Sequence, residues 1–169
     1  MFSPIIRVTL FVALLGAATS SFVTGNDFGG VALILVSIFI ILDYYRSGSV
    51  WIAFRNLRKG NFERAEKHLS QTKYNKWLRN THKSSYHTIE GYLYLQKNDL
   101  SNALKCFVKG AEFGFRSSQD RVMNFINQVN ILIKLGKINP AKKKFIELKE
   151  LNSKGFEKEI KRLNQYFDA

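Results

Sequence analysis

Lys59-Gly60-Asn61-Phe62-Glu63-Arg64-Ala65 is echoed by Lys97-Asn98-Asp99-Leu100-Ser101-Asn102-Ala103 and again by Leu135-Gly136-Lys137-Ile138-Asn139-Pro140-Ala141, each window 38 residues after the last. Four residues past each alanine stand Leu69, Phe107 and Phe145, and twelve before it stand Ala53, Gly91 and Val129. A fixed period of this length marks an array of supersecondary units. Gly60, Asn98 and Gly136 are residue types that adopt the left-handed conformation ending a helix. Asn61 and Asp99 then offer side-chain oxygens to the free N–H groups of the next helix. In the third window Lys137 has no such oxygen, so Asn139 is expected to cap and Pro140 to open the helix. The alanines let two helices approach at a crossing, and Leu69, Phe107 and Phe145 lie one turn on, on the same face.

Working outward, the pattern predicts helices over 49–59, 62–73, 83–97, 100–113, 118–135 and 139–151. Ser117 and Asp120 form a capping box ahead of the fifth. A final helix over 155–167 places Phe156, Ile160, Leu163 and Phe167 on one stripe with charges opposite, as a terminal helix covering the last unit's apolar face should.

This spacing of small, turn, small and aromatic positions resembles the tetratricopeptide family, whose unit is about 34 residues. The middle window carries most of the resemblance, at Gly91, Tyr94, Asn98-Asp99, Ala103 and Phe107. The first (Ala53, Gly60, Phe62, Ala65, Leu69) and third (Gly136, Ala141, Phe145) match in part, and the family's proline near the unit's end is absent from all three. The resemblance implies an all-α stack of three helix-turn-helix units, at 46–79, 84–117 and 122–155, closed by a capping helix at 156–169. It also implies a concave groove lined by the first helix of each unit. The fifth groove positions are then Val50, Thr88 and Ile126, and the ninth are Phe54, Tyr92 and Asn130. The candidate partner-binding set is Phe54, Thr88, Tyr92, Leu95, Asn127 and Asn130. The Lys and Asn with which some family members clamp a terminal carboxylate are missing, which leaves an apolar or amphipathic segment of a protein as the expected occupant. The alternative is that Phe54 and Tyr92 merely fill packing between units.

The N-terminal part is a different physical object. The first 45 residues hold Arg7, Asp27 and Asp43 as their charged residues, whereas residues 46–169 hold 25 of the 26 Lys and Arg and 11 of the 13 acids, a formal charge of +14. Residues 5–23 and 28–45 are near-continuous apolar runs close to the roughly 20 residues that span a bilayer. They are expected to form two transmembrane helices joined by the turn residues Thr24-Gly25-Asn26-Asp27. Small residues at Ala13, Gly16, Ala17 and Ser20 share one face. Tyr44, Tyr45 and Trp51 would lie at headgroup level, and Asp43 would pair with Arg46. The loop has no Lys or Arg while Arg46, Arg55, Arg58 and Lys59 follow the second run, so both termini and the repeat domain are expected to be cytoplasmic, with those four residues against anionic lipid headgroups. A cleaved signal peptide ending near Ala18-Thr19-Ser20 is the competing reading of the first run. Two N-terminal membrane helices and such repeats look like membrane-anchored repeat proteins of the bacterial inner membrane, one family of which is associated with haem biosynthesis.

Chemistry is absent from this pattern. His68, His82 and His87 have no metal-type spacing, the single Cys106 has no partner for a disulfide or a zinc site, and no strained Gly-x-Ser-x-Gly turn occurs. No enzyme activity, cofactor or metal is expected. The leading expectation is a membrane-tethered scaffold or adaptor that binds a protein partner. The alternatives are a basic repeat protein binding nucleic acid or anionic lipid, for which the run Lys142-Lys143-Lys144 is the obvious contact, and a regulatory subunit of a membrane enzyme by the haem-pathway analogy.

Overall fold

The computed structural model describes residues 4–47, 49–72, 75–151 and 154–168, except for the side chains of residues 4, 5, 7 and 43–47. Every regular element among them is helical: α1 Pro4–Val23, α2 Asp27–Ser47, α3 Val50–Arg58, α4 Phe62–Ser70, α5 Asn80–Gln96, α6 Leu100–Glu112, α7 Ser118–Lys134, α8 Ile138–Lys149 and α9 Glu157–Asp168, with one 3-10 turn at Asn75–Trp77. The chain divides into two compact units, Met1–Arg79 and Asn80–Ala169.

The first unit contains two helical hairpins. In α1–α2 the chain reverses at Gly25, which has φ +77°, and the Asn26 side chain accepts from the Gly29 N–H at 3.0 Å, which caps α2. Ala18, Gly30 and Ser37 are buried where the helices meet, and a Cβ on Gly30 would lie 2.6 Å from the Phe22 ring.

This hairpin corrects the expectation of an integral membrane protein of the bacterial inner membrane. Among the described residues no helix is long and apolar enough to cross a membrane. In α1 the apolar run lies between Arg7 and Thr19-Ser20-Ser21, and in α2 between Gly29-Gly30 and Asp43. Both stretches fall short of the roughly 20 residues needed to span the hydrocarbon core. The inferred sidedness falls with the spans. Trp51, expected at headgroup level, lies in the first turn of α3 and stacks on Phe54 with ring centroids 6.3 Å apart. The side chains of Asp43, Tyr44, Tyr45 and Arg46 lie outside the described residues.

The second hairpin, α3–α4, introduces a turn geometry that recurs. Gly60 N–H donates to the Leu57 carbonyl at 2.9 Å and Asn61 N–H to the Asn56 carbonyl at 3.0 Å. In the second unit Asn98 and Asp99 repeat this toward Leu95 and Tyr94, at 3.0 and 2.9 Å, and Gly136 and Lys137 repeat it toward Ile133 and Leu132, at 2.9 Å each. This paired closure requires a left-handed residue at its first position. Gly60, Asn98 and Gly136 have φ of +76°, +58° and +70°. The next helix then starts identically three times, with the N–H of Ala65, Ala103 and Ala141 donating to the carbonyl of Asn61, Asp99 and Lys137 at 3.0 Å. The 38-residue period is thus a period of geometry.

Capping chemistry follows the sequence only in part. Asp99 accepts from the Asn102 N–H at 3.0 Å, and Ser117 Oγ accepts from the Asp120 N–H at 3.1 Å while donating to the Asp120 carboxylate at 2.7 Å. Asn61 makes no side-chain cap bond. Asn139 does not cap either. The helix opens at Ile138, in register with Phe62 and Leu100, and Pro140 sits in the first turn, where the N–H it lacks would have no helical partner. The α5 helix begins at Asn80, ahead of the expected 83, because its apolar period becomes visible only from Tyr86.

Burial explains the spacing. Ala65, Ala103 and Ala141 are inaccessible, Leu69, Phe107 and Phe145 are buried beside them, and Ala53, Gly91 and Val129 are buried on the preceding helices. A Cβ on Gly91 would lie 2.9 Å from the Phe107 ring, so glycine is what lets α5 approach α6 there. Within the second unit α5–α6, α6–α7, α7–α8 and α8–α9 pack in succession. The α9 stripe completes the core: Leu163 is buried with Val122, Phe125, Ile126, Val129, Phe145 and Leu148, and Phe167 stacks on Phe145 at 5.1 Å. Burying each such side chain contributes about 1.5–3 kcal/mol.

Two substitutions test this packing in the full chain. Ala103→Leu overfills the α5–α6 crossing and Gly91→Ala collides with Phe107, and each should cost about 1–3 kcal/mol. Thermal unfolding followed by circular dichroism should show both losses, while Lys143→Ala, on an exposed position of α8, should leave the midpoint within a degree or so.

Candidate partner-binding face

The second unit brings part of the expected groove together. Tyr92 on α5 and Asn127 on α7 are joined directly: the Asn127 amide donates to the Tyr92 hydroxyl at 2.7 Å. The Tyr92 ring meets the edge of Phe107 at 5.2 Å, anchoring the phenol to the core. Burial raises the phenol's pKa, partly offset by the Asn127 hydrogen bond, with a further upward contribution from Asp120. Tyr92 therefore stays protonated at neutral pH. One turn on from Asn127, Asn130 accepts from the Arg162 guanidinium of α9 at 3.3 Å. Asn127 and Asn130 are three apart on α7 and so share a face. The face thus carries Tyr92, Asn127, Asn130 and Arg162, contributed by α5, α7 and α9.

Other expected members have different places. Thr88 is half-buried close to Gly110, where α5 and α6 meet. Leu95 is half-buried and packs against Ala103, Phe107 and Ile131. Val50 and Ile126, assigned groove positions by the resemblance, are buried and have no surface to offer. Phe54 belongs to the first unit, half-buried against Trp51.

The sequence reading misses Arg162 because the amphipathic pattern of α9 predicts only a polar side facing water and not which charge meets α7. It also missed a buried amide pair: Gln128 donates to Asn124 Oδ1 at 2.6 Å and points toward the Phe107 carbonyl at 3.5 Å, both side chains being 1% exposed. Their signal was present in the polar positions 124, 127, 128 and 130 of an otherwise apolar α7. The Asn124–Gln128 bond lies within α7, the Gln128 contact with the Phe107 carbonyl crosses to α6, and Asn124 Nδ2 is buried without a hydrogen-bond partner.

The basic residues are spread over separate surfaces. Arg55 and Arg58 lie in the last turn of α3 and Lys59 caps it, where the carbonyl end of a helix favours cations. Lys142 and Lys143 are exposed on α8, but Lys144 pairs with Glu147 at 2.6 Å and lies 4.8 Å from the Phe125 ring centre. A cleft of about 580 Å³ between the α6–α7 connection and the end of α8 holds Arg116 and Arg121 but also Glu112 and Glu150, and so favours neither sign of ligand. Among the described residues no group of three or more His, Cys, Asp and Glu is placed to hold a metal. His87 is 2.7 Å from Glu90 and stacked on Phe113.

Cys106 is half-buried on α6, and its thiol is pushed up to about 11, chiefly by burial and then by Glu90. A lower thiolate population outweighs the greater nucleophilicity of a more basic thiolate. Alkylation by iodoacetamide at pH 8, followed by mass spectrometry, should be at least about tenfold slower in the folded chain than in urea. Equal rates would place the thiol in open solvent.

No protein-family model matches the chain, and no match is found among curated proteins or solved structures.

Proposed function

We propose that the chain is a protein-interaction module of tetratricopeptide type, which holds a peptide segment of a partner along the α5–α7–α9 face. The observation that carries this reading is the pair of cross-helix contacts on that face, Tyr92 with Asn127 and Asn130 with Arg162. The repeated turn and the buried alanines support the family assignment. A peptide backbone offers a donor and an acceptor at nearly every residue, and an asparagine amide matches both. Held by Tyr92 and Arg162, the two amides are ordered before a ligand arrives, which lowers the entropy cost of binding. The half-buried Tyr92 ring beside them supplies the aromatic contact that commonly dominates interface energetics. The partner segment is amphipathic, its apolar side on Tyr92 and its polar side toward the amides and Arg162. Lys144 and Lys149 lie over phenyl rings rather than forming an open phosphate-binding strip, which weighs against nucleic acid as ligand.

The test is a selection of displayed peptides on the immobilised full chain. Peptides with a common amphipathic pattern should be enriched, and Tyr92→Ala with Asn127→Ala should weaken their binding by about tenfold or more. Lys142→Ala with Lys143→Ala should leave it unchanged. Selected peptides that are insensitive to the first pair and lost with the lysines or with added salt would overturn the reading.

A further inference from the structure

The 38-residue register runs one helix beyond the third turn. Val122, Phe125 and Val129 of α7 are matched at that spacing by Ile160, Leu163 and Phe167 of α9, and all six pack in one core. On the opposite side of α7, Asp120, Met123 and Asn127 are matched by Lys158, Lys161 and Gln165. Helix α9 thus repeats α7, as the first helix of a further unit would. Its residues 158, 161 and 165 continue the face on which Asn127 stands, and the Asn130–Arg162 hydrogen bond joins the two helices along it at 3.3 Å.

Charge changes sign along this face. On α7 the three positions carry one carboxylate, that of Asp120, to which Ser117 Oγ donates at 2.7 Å. On α9 they carry two ammonium groups, with Arg162 beside them. Lys158, Lys161 and Arg162 fall within about 100° of arc, and all three are exposed. Arg162 is oriented by a neutral acceptor, Asn130, so its charge is not offset there. The rest of its guanidinium fork keeps the shape that receives a carboxylate. The acids of α9 are placed elsewhere. The Glu157 carboxylate accepts from the Gly155 N–H at 2.9 Å, at the helix start, and Glu159 is half-buried. Asp168 stands six residues, about 9 Å, beyond Arg162.

We infer that the segment held along the α5–α7–α9 face is acidic at its α9 end, with two Asp or Glu side chains against Lys158 and Arg162 and its apolar part over Tyr92. The inference rests on the reading of that face as a peptide site, and adds the charge of the occupant and the way it lies. Lys158 and Arg162 are four residues apart, about 6 Å along α9. Side chains two residues apart in an extended chain point the same way at about 6–7 Å, so acids separated by one residue match the two cations. Complementary charge fixes the lie of such a segment. The reversed arrangement would set its acids beside Asp120, a repulsion that selects against it. The formal charge of +13 on the whole chain attracts the same kind of segment at longer range.

The experiment selects random peptides on the immobilised full chain, displayed through their C-termini so that every carboxylate presented belongs to a side chain. Peptides with two Asp or Glu separated by one residue should be enriched. Their binding, read by fluorescence anisotropy, should weaken on the order of tenfold or more in Lys158→Glu with Lys161→Glu, a pair that leaves the Asn130–Arg162 contact in place, and in Arg162→Gln. Lys142→Glu with Lys143→Glu makes the same change in net charge on α8 and should weaken it less than about twofold. Peptides that are lost in Tyr92→Ala but bind both α9 variants as well as the native chain would overturn the inference and leave the peptide reading standing. Equal losses from the α8 and α9 reversals would show attraction to net charge alone, and would also overturn it. Indifference to Tyr92→Ala, or no enrichment at all, would remove the peptide reading and this inference with it.

Discussion

Each helix pair after the first hairpin depends on one backbone residue held at positive φ. Gly60, Asn98 and Gly136 turn the chain so that the following N–H reaches back five residues, and this closure fixes where the next helix begins. Once that start is set, the alanine four residues beyond the left-handed residue's successor must face the preceding helix, and the bulky residue one turn later must enter the core. Side chains at the crossing are small because backbone position leaves no room for larger ones, as the contact of Gly91 with Phe107 shows. Geometry here comes before packing, and packing before surface.

The surface follows from the same order. With α5, α7 and α9 placed by their neighbours, Tyr92, Asn127, Asn130 and Arg162 come to one face, and two cross-helix hydrogen bonds hold them there. Nothing about these four residues is chemically unusual in the sequence. Their significance is spatial, and it depends on α9 lying against both the α8 core and the polar edge of α7. Gln128, buried on α7, reaches across to the Phe107 carbonyl of α6 at 3.5 Å and so ties the orientation of α7 to α6.

Much of this was legible in the chain. The period of 38, the left-handed turns, the alanine crossings, the Ser117–Asp120 box and the apolar stripe of α9 all rest on local rules that tertiary structure did not override. Asn139 misled because cap preference is weak, and the register imposed by Gly136 placed Lys137 at the helix start despite its side chain. Val50 and Ile126, groove positions transferred from a family, misled because such a transfer does not account for how this chain buries them. Arg162 was invisible because its partner lies 32 residues away on another element. The first 45 residues misled for a different reason. Hydropathy summed over a run does not register the interruptions at Thr19-Ser20-Ser21 and Gly29-Gly30, which leave each apolar stretch short of a span.

The account's central claim is that three left-handed turns, and not general helical propensity, define the repeat. Urea unfolding of the full chain with alanine placed singly at positions 60, 98 and 136 tests it most directly. Alanine strongly disfavours this conformation, so each substitution should cost about 1–2 kcal/mol despite alanine's better helix propensity. Asn98→Gly should cost nothing or add stability, since glycine enters the same conformation without strain. Unchanged or increased stability in all three alanine variants would contradict the account, because it would mean that the turns can be rebuilt without their left-handed residue.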